Sequence, residues 1–321
     1  MHRVFLGLVL IFWMAALPAL GAPVPAGYDA SAFARLGLSA RALAMGGAYV
    51  SSADDVSMGY YNPAALALAD RYRVGGMYSQ PFGAVAGITF QNLGIVAPFA
   101  AQTSSVLPGA SLTWVSVLID EIPVWDEDEP DVTYASATSS LYVASVGAVL
   151  PWEPRLALGL SVKYYQDRIL DAQGDGIGFD LAALGTLDLA GVKVRVGVNA
   201  MDVGQTAIQW RGTVGGATGY VPWINRIGFA TRLFDEHLLL EADVDWAIGR
   251  PARDQKLRLG GEFTIVDGLA VRAGWSVDLE GRGSLAAGLG LALLDSILVD
   301  YAYVPPREAG ATHVLSAEFR F

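Results

Sequence analysis

The chain has 321 residues, of which 53% are hydrophobic and 17% charged, with a net charge of −11 and no cysteine. That balance argues against nucleic acid, whose phosphates need a basic face, and the absent cysteine excludes disulfides, thiolate metal sites and thiol nucleophiles. Mean hydropathy is high at +0.39, yet no apolar run of about 18 residues follows the N-terminal stretch, so helical membrane spans are not expected.

The first predicted element is a targeting segment. Met1–Arg3 make a short basic region, "VFLGLVLIFWMAAL" an apolar one, and Ala19 and Gly21 offer small residues for cleavage near Gly21–Ala22. Residues 1–21 are read as a signal peptide; the alternative, an uncleaved anchor, has a short apolar stretch for a span. Without cysteine there is no lipoprotein anchor.

Residues 22–69 follow, and between Tyr28 and Ala69 nothing alternates as a strand does. Small residues and glycines allow close packing there, and Arg41 is the only cation after Arg35. Asn62 has the character of a helix N-cap and Pro63 that of a first helical residue. A short capped helix therefore precedes a chain of strands.

From residue 70 to 321 the pattern has period two. Leu156, Leu158, Leu160, Val162 and Tyr164 face one way, with Ala157, Gly159, Ser161 and Lys163 facing the other. Val192–Val198, Leu238–Trp246, Leu257–Phe263 and Leu269–Asp278 repeat this. Such alternation fits a soluble sandwich or a membrane barrel with its apolar face to lipid. The connections decide between them. About fourteen segments of the length a tilted membrane strand needs, about 9–11 residues, can be counted. Tight turns at 151–154, 188–191, 234–237, 266–268 and 294–296 alternate with longer connections near 168–176, 203–223, 248–255, 279–283 and 305–310. Short turns at one end and longer loops at the other are a barrel's signature. The expected fold is thus all-β: a closed antiparallel transmembrane β-barrel of about fourteen strands with a short helical N-terminal plug.

The polar face is expected to line the lumen. It carries Lys163, Lys193, Arg195, Glu241, Asp243, Asp245, Lys256, Arg258, Glu262, Arg272, Asp300, Glu318 and Arg320. Opposite signs on neighbouring strands can pair across the ladder. Either a selective polar pathway or a structural network in a filled lumen would use these charges, and the second is favoured because buried charges need partners. Trp246, Trp275, Tyr301 and Tyr303 sit where an interfacial girdle would. At the end of the chain Leu315, Ala317, Phe319 and Phe321 alternate and stop on an aromatic, which looks like the closing-strand insertion signal read by barrel-assembly machinery.

Two further features bear on metal binding and catalysis. Asp126, Glu127, Asp128, Glu129 and Asp131 crowd one loop, but without EF-hand spacing, so a solvated acidic loop is favoured over a Ca²⁺ site; "DAQGDGIG" at 171–178 is a weaker version. The three histidines, His2, His237 and His313, gather no hydrolase constellation. No catalytic residue, metal or cofactor is expected.

Ala40–Arg41, Met45–Gly46–Gly47–Ala48, Ala53–Asp54–Asp55 and Asn62–Pro63–Ala64 together resemble the N-terminal signature of the PorV/PorQ-type family within the FadL-like outer-membrane barrels. The resemblance continues through "FDLAALGTLD", "VGVNAMDVG", "LEADVDW", "LRLGGEF", "VRAGW", "VDYAY" and "HVLSAEFRF". It implies a fourteen-stranded barrel with residues 22–69 folded into the lumen as a plug, in the bacterial outer membrane and its lipid. It also implies passive transport of hydrophobic small molecules, with an apolar ligand, as in FadL-like proteins. The alternative is a PorV-like accessory that meets secretion-machine proteins and hands cargo on at the cell surface.

Overall fold

A computed structural model describes residues 30–81, 83, 87–99, 108–124, 132–213, 216–247, 254–306 and 310–321. The signal-peptide reading of residues 1–21 and the acidic loop residues Asp126–Asp131 lie outside the described residues.

Alternating residues extend into sixteen strands. They are β1 (Arg73–Gln80), β2 (Ile88–Pro98), β3 (Pro108–Val124), β4 (Thr133–Leu150), β5 (Glu153–Ile169), β6 (Ala172–Leu189), β7 (Val192–Met201) and β8 (Thr206–Arg211). The chain continues with β9 (Ala217–Val221), β10 (Ile224–Leu233), β11 (Leu238–Ala247), β12 (Lys256–Val266), β13 (Leu269–Asp278), β14 (Gly283–Leu293), β15 (Ile297–Val304) and β16 (Thr312–Arg320). Neighbours pair antiparallel, and β1 pairs with β16 from Arg73↔Arg320 to Gln80↔His313. β7 pairs directly with β10. The β8–β9 hairpin stands aside from this ring and attaches to β6 at Gln173, Gly174 and Asp175. Fourteen strands therefore close a barrel, and two form an appended hairpin.

The two faces are inverted relative to a soluble protein. Leu112 (58% exposed), Val146, Leu160, Phe229, Leu285 and Leu289 point outward and are exposed. Ser161, Lys163, Asp243, Glu241 and Arg272 point inward and are buried. A continuous exposed apolar band around a charged interior fits lipid outside. Backbone pairing around a closed ring leaves no edge to desolvate there.

Tight turns at 151–152, 190–191, 234–237, 267–268 and 294–296 cluster at one end, here the turn end, which also carries Phe321. Ala190 (φ 54°) and Gly191 (φ 87°) give two successive left-handed residues, the geometry of a type I′ hairpin turn. The other end is the loop end. There the expected long connection near 168–176 is absent. β5 and β6 run on as strands and turn at Leu170–Asp171. Although "DAQGDGIG" has loop composition, its backbone is paired with β5 from Ala172 to Gly178 and with β8 at Gln173, Gly174 and Asp175. β3–β6, at 17 or 18 residues each, also exceed the expected strand length. Their surplus stands at the loop end, where both faces of β3 beyond Leu118 become at least partly exposed.

Inside the ring lies the N-terminal segment. Ala30 starts at the loop end, donating its N–H to the Tyr220 carbonyl at 3.1 Å. Helix α1 (Ala40–Ala44) packs against β13–β16. Helix α2 (Met58–Tyr61) and a 3-10 turn (Pro63–Leu68) pack against β3–β6. The Asn62 cap is present, since its Oδ1 accepts the Ala64 N–H at 3.0 Å and Pro63 sits at the first helical position. The helix it starts is 3-10, in keeping with its six-residue length.

Candidate transport lumen

The plug is held by three wall systems, each reading a different part of its backbone or its one buried cation. The first centres on Arg41 in α1. Its Nε and Nη2 donate to Glu262 Oε2 and Oε1 at 2.6 and 2.8 Å, a bidentate fork, while Nη1 meets Asp54. Glu262 also accepts from Arg272 Nε at 2.6 Å, and Arg272 Nη1 reaches Asp300 at 2.6 Å. Ser39 Oγ caps α1 and donates to Asp55 Oδ2 at 2.6 Å. Asp55 Oδ1 in turn accepts the Ser57 N–H at 2.9 Å.

The second system is a row of wall carboxylates that accept plug N–H groups. Asp243 Oδ2 accepts Tyr49 N–H at 2.9 Å and Val50 N–H at 3.2 Å. Glu241 Oε1 accepts Ser51 N–H at 2.6 Å, and its other oxygen meets the Ser52 hydroxyl. Glu318, flanked by Arg73 and Arg320, accepts Val56 N–H. A non-helical loop has N–H groups with no partner of its own, and burial makes each one costly to leave unpaired.

The third system is close backbone contact. Gly46 (φ 69°) lies against the Trp275 backbone, and the wall residue Gly274 leaves room for Met45 and Gly46 where any side chain would collide. Gly47 (φ 82°) lies beside Arg258. Met45 is fully buried. Asn62 Nδ2 donates to Val50 O at 2.8 Å and to the wall carbonyl of Ala183 at 3.3 Å, tying both limbs of the plug to the barrel. Pro63 and Ala64 pack on Gly159.

The charges predicted for the lumen point inward; some pair directly across the ladder, as Glu262 with Arg272 and Asp245 with Arg226 do, and others serve the plug. Asp243 stands opposite Arg258 in register, yet serves the plug. It is Asp245 that holds Arg258, together with Arg226 Nε and Nη2 at 2.5 and 2.9 Å. Arg226 has no signal in the sequence beyond the inward parity of its position on β10. Also unforeseen was the Lys163 cluster: Nζ lies 2.8 Å from Asp180 and 3.0 Å from Asp202, and Asp202 accepts from Tyr165 Oη at 2.9 Å and Thr206 Oγ1 at 2.8 Å. It ties β5 and β6 to the base of the β8–β9 hairpin. Phe319 and Phe321 stack on each other outside the barrel, and Phe321 stacks on Tyr72. His313 is outward too, 2.7 Å from Tyr301 Oη.

Among the described residues, a cavity lies on either side of the plug loop. The loop-end cavity, about 370 Å³, is bounded by Leu36, Leu43, Tyr60, Tyr61, Met201 and Ile224, with Arg226, Arg258 and Lys256 at its wall. The turn-end cavity, about 410 Å³, is bounded by Ser51 and Ser52 of the plug and by Lys193, Arg195, Arg232 and Leu239 of the wall. The loop from Gly46 to Ser52 separates them. Burial alone would raise the Asp54 carboxyl, but Arg41, Arg232, Arg73 and Arg320 around it hold it down at about 2. Among the described residues, no three acidic or histidine side chains converge as a metal site.

No protein-family model matches the chain, and no curated protein sequence matches it. Solved structures do. The P. putida toluene transporter TodX is 14% identical over 89% of this chain and 99% of that one, with a TM-score of 0.61. The CymD monoaromatic hydrocarbon channel is 13% identical over 89% and 98%, with a TM-score of 0.62. A Pseudomonas aeruginosa FadL homologue is 14% identical over 89% and 99%, with a TM-score of 0.57. At such identities the likeness is one of fold: a FadL-like closed barrel of fourteen antiparallel strands with a short N-terminal helical segment.

Proposed function

We propose that this chain is an outer-membrane channel for passive movement of hydrophobic small molecules, with residues 22–69 as its plug and no enzymatic step. The observation that carries this reading is a lumen interrupted by the plug, with a cavity on its loop-end side where Leu36, Leu43, Tyr60, Tyr61, Met201 and Ile224 share the lining with the charged Arg226, Asp245, Lys256 and Arg258. That cavity lies within the size range of small-molecule sites. In this reading the loop end faces outward and the turn end faces the periplasm, the apolar band meets outer-membrane lipid, and barrel-assembly machinery reads the Phe319–Phe321 end. The names of TodX and CymD, a toluene transporter and a monoaromatic hydrocarbon channel, lend support at the level of fold.

The alternative is a PorV-like accessory of a secretion machine. One observation favours it: the surplus of β3–β6 carries exposed Tyr134, Ile169 and Ile177, an apolar surface at the loop end on which a protein could dock. Toluene uptake into lipid vesicles separates the two readings. A channel makes uptake faster in vesicles holding the purified barrel than in empty ones. Equal rates, with secretion-machine subunits copurifying from the native membrane, would leave the accessory reading in its place.

A further inference from the structure

The inward-facing charges of this barrel are mostly compensated. Asp245 is shared by Arg226 and Arg258, Glu262 by Arg41 and Arg272, and Glu318 by Arg73 and Arg320. The turn-end cavity breaks that rule. Arg195 has Thr186 opposite it on β6 and Ala230 opposite it on β10. The next residue in that row is Glu241, which the plug has already taken through Ser51 N–H and the Ser52 hydroxyl. Among the described residues Arg195 has no ion-pair partner. Arg232 follows Thr231, the partner of Val194, and so stands opposite Lys193. Like charges across a ladder destabilise it. Arg232 has only a distant acid, Asp54 Oδ2 at 3.8 Å. Asp188 faces Lys193 in register, but its Oδ1 accepts the Gly191 N–H at 2.9 Å and no ion pair joins the two. Glu236 is the acid that lines this cavity.

We propose that Lys193, Arg195 and Arg232 form an oxyanion-binding site in the turn-end cavity. Three donors of one sign, on two adjacent strands and around one open volume, suit an oxyanion that accepts from several guanidinium and ammonium groups at once. The cavity of about 410 Å³ is larger than such a group alone requires, and Leu239 and Ala230 give the remainder an apolar wall. The ligand class is therefore a carboxylate on a small apolar body, with free phosphate as the other source of the same chemistry. This site lies across the plug from the loop-end cavity and does not require that cavity to carry hydrocarbons.

The test uses the full barrel purified in a non-ionic detergent, with fluorobenzoate observed by fluorine NMR and inorganic phosphate as competitor. Saturable fluorobenzoate binding is expected, weakened about tenfold or more by Arg195→Gln, the loss of one charge-assisted hydrogen bond. Arg195→Gln breaks no ion pair, and heat-dependent gel mobility checks that the variant is folded. Arg195→Lys should recover part of the affinity. Phosphate that binds through the same residues but displaces fluorobenzoate at equal concentration would keep the oxyanion site and overturn the apolar body. Absence of saturable binding of either anion, or binding that ignores both Arg195→Gln and Arg232→Gln, overturns the site. Toluene flux measured on the same preparation is a separate readout, so loss of the channel reading would show as absent flux with anion binding intact.

Discussion

Asp54 gathers cations of the plug and of the wall around one carboxylate. It touches Arg41 of the plug, and Arg232 of the wall lies 3.8 Å away. Its carboxyl sits at about 2, against an ordinary value of 3.8. A carboxylate depressed in the folded state contributes stability in full above its unfolded value and loses it as pH falls through its folded value. The Asp54 contribution is thus complete at neutral pH and is lost between about pH 4 and pH 2. Ion conductance through barrels in planar bilayers should stay low down to about pH 4 and rise below it. Asp54→Asn should raise conductance already at pH 7 and flatten that acid step. A wild-type curve with no step, or an Asp54→Asn curve that overlays it, would disprove the assignment. At this scale the sequence was partly legible. Arg41, the only cation between Arg35 and Ala69, is legible against Asp54 and Asp55 in a low-charge segment. The partner Glu262 lies 221 positions away, a separation that no local pattern spans. The assignment of Asp243 and Glu241 to backbone N–H groups was also hidden, because backbone donors have no sequence letter.

Within the plug, Asn62 joins two limbs of the chain to the barrel wall. Nδ2 reaches both Val50 O and Ala183 O while Oδ1 caps the 3-10 turn. Each bond is buried, so its loss leaves a carbonyl or N–H without water. Deleting Asn62–Ala64 removes the tie between the Val50 carbonyl and the Ala183 wall, leaving Asp243 and Glu241 as the remaining anchors of that loop, and removes no strand residue. The expected outcome is a barrel that still shifts on a gel when heated but conducts ions several-fold better than the parent. Unchanged conductance would mean that the plug seals without this turn. The Asn-Pro pair was readable because capping is a local event. The β8–β9 hairpin was not readable as strands. Its two short segments, Thr206–Arg211 and Ala217–Val221, lack the length of a wall strand. They are held by β6 and by Asp202, through Thr206 Oγ1, rather than by alternation of their own.

For the whole molecule, inversion of the two faces decides where it can live. Period-two alternation fixed which residues share a face but left open which face meets water, and only the closed ring with charges inside answers that. Connection lengths carried most of that information, and they failed at 168–176 because glycine-rich composition mimics a loop where β5 and β6 continue pairing. The outward face makes a quantitative demand. Leu289 lies within β14 on the apolar band, 50% exposed, while Leu294 lies in the turn beyond it, 88% exposed. An arginine in the middle of the bilayer costs about 2–4 kcal/mol, falling to about 0–1 kcal/mol near the interface. Leu289→Arg should therefore destabilise the barrel by about 2–4 kcal/mol in reversible urea unfolding from lipid vesicles, and Leu294→Arg by about 0–1 kcal/mol. In water both positions are solvent-exposed, and an exposed leucine-to-arginine change is close to neutral wherever it falls. A cost that depends on depth is the mark of lipid around β14. Equal small effects at both positions would place this face in water and remove the membrane from the account, plug and cavities included.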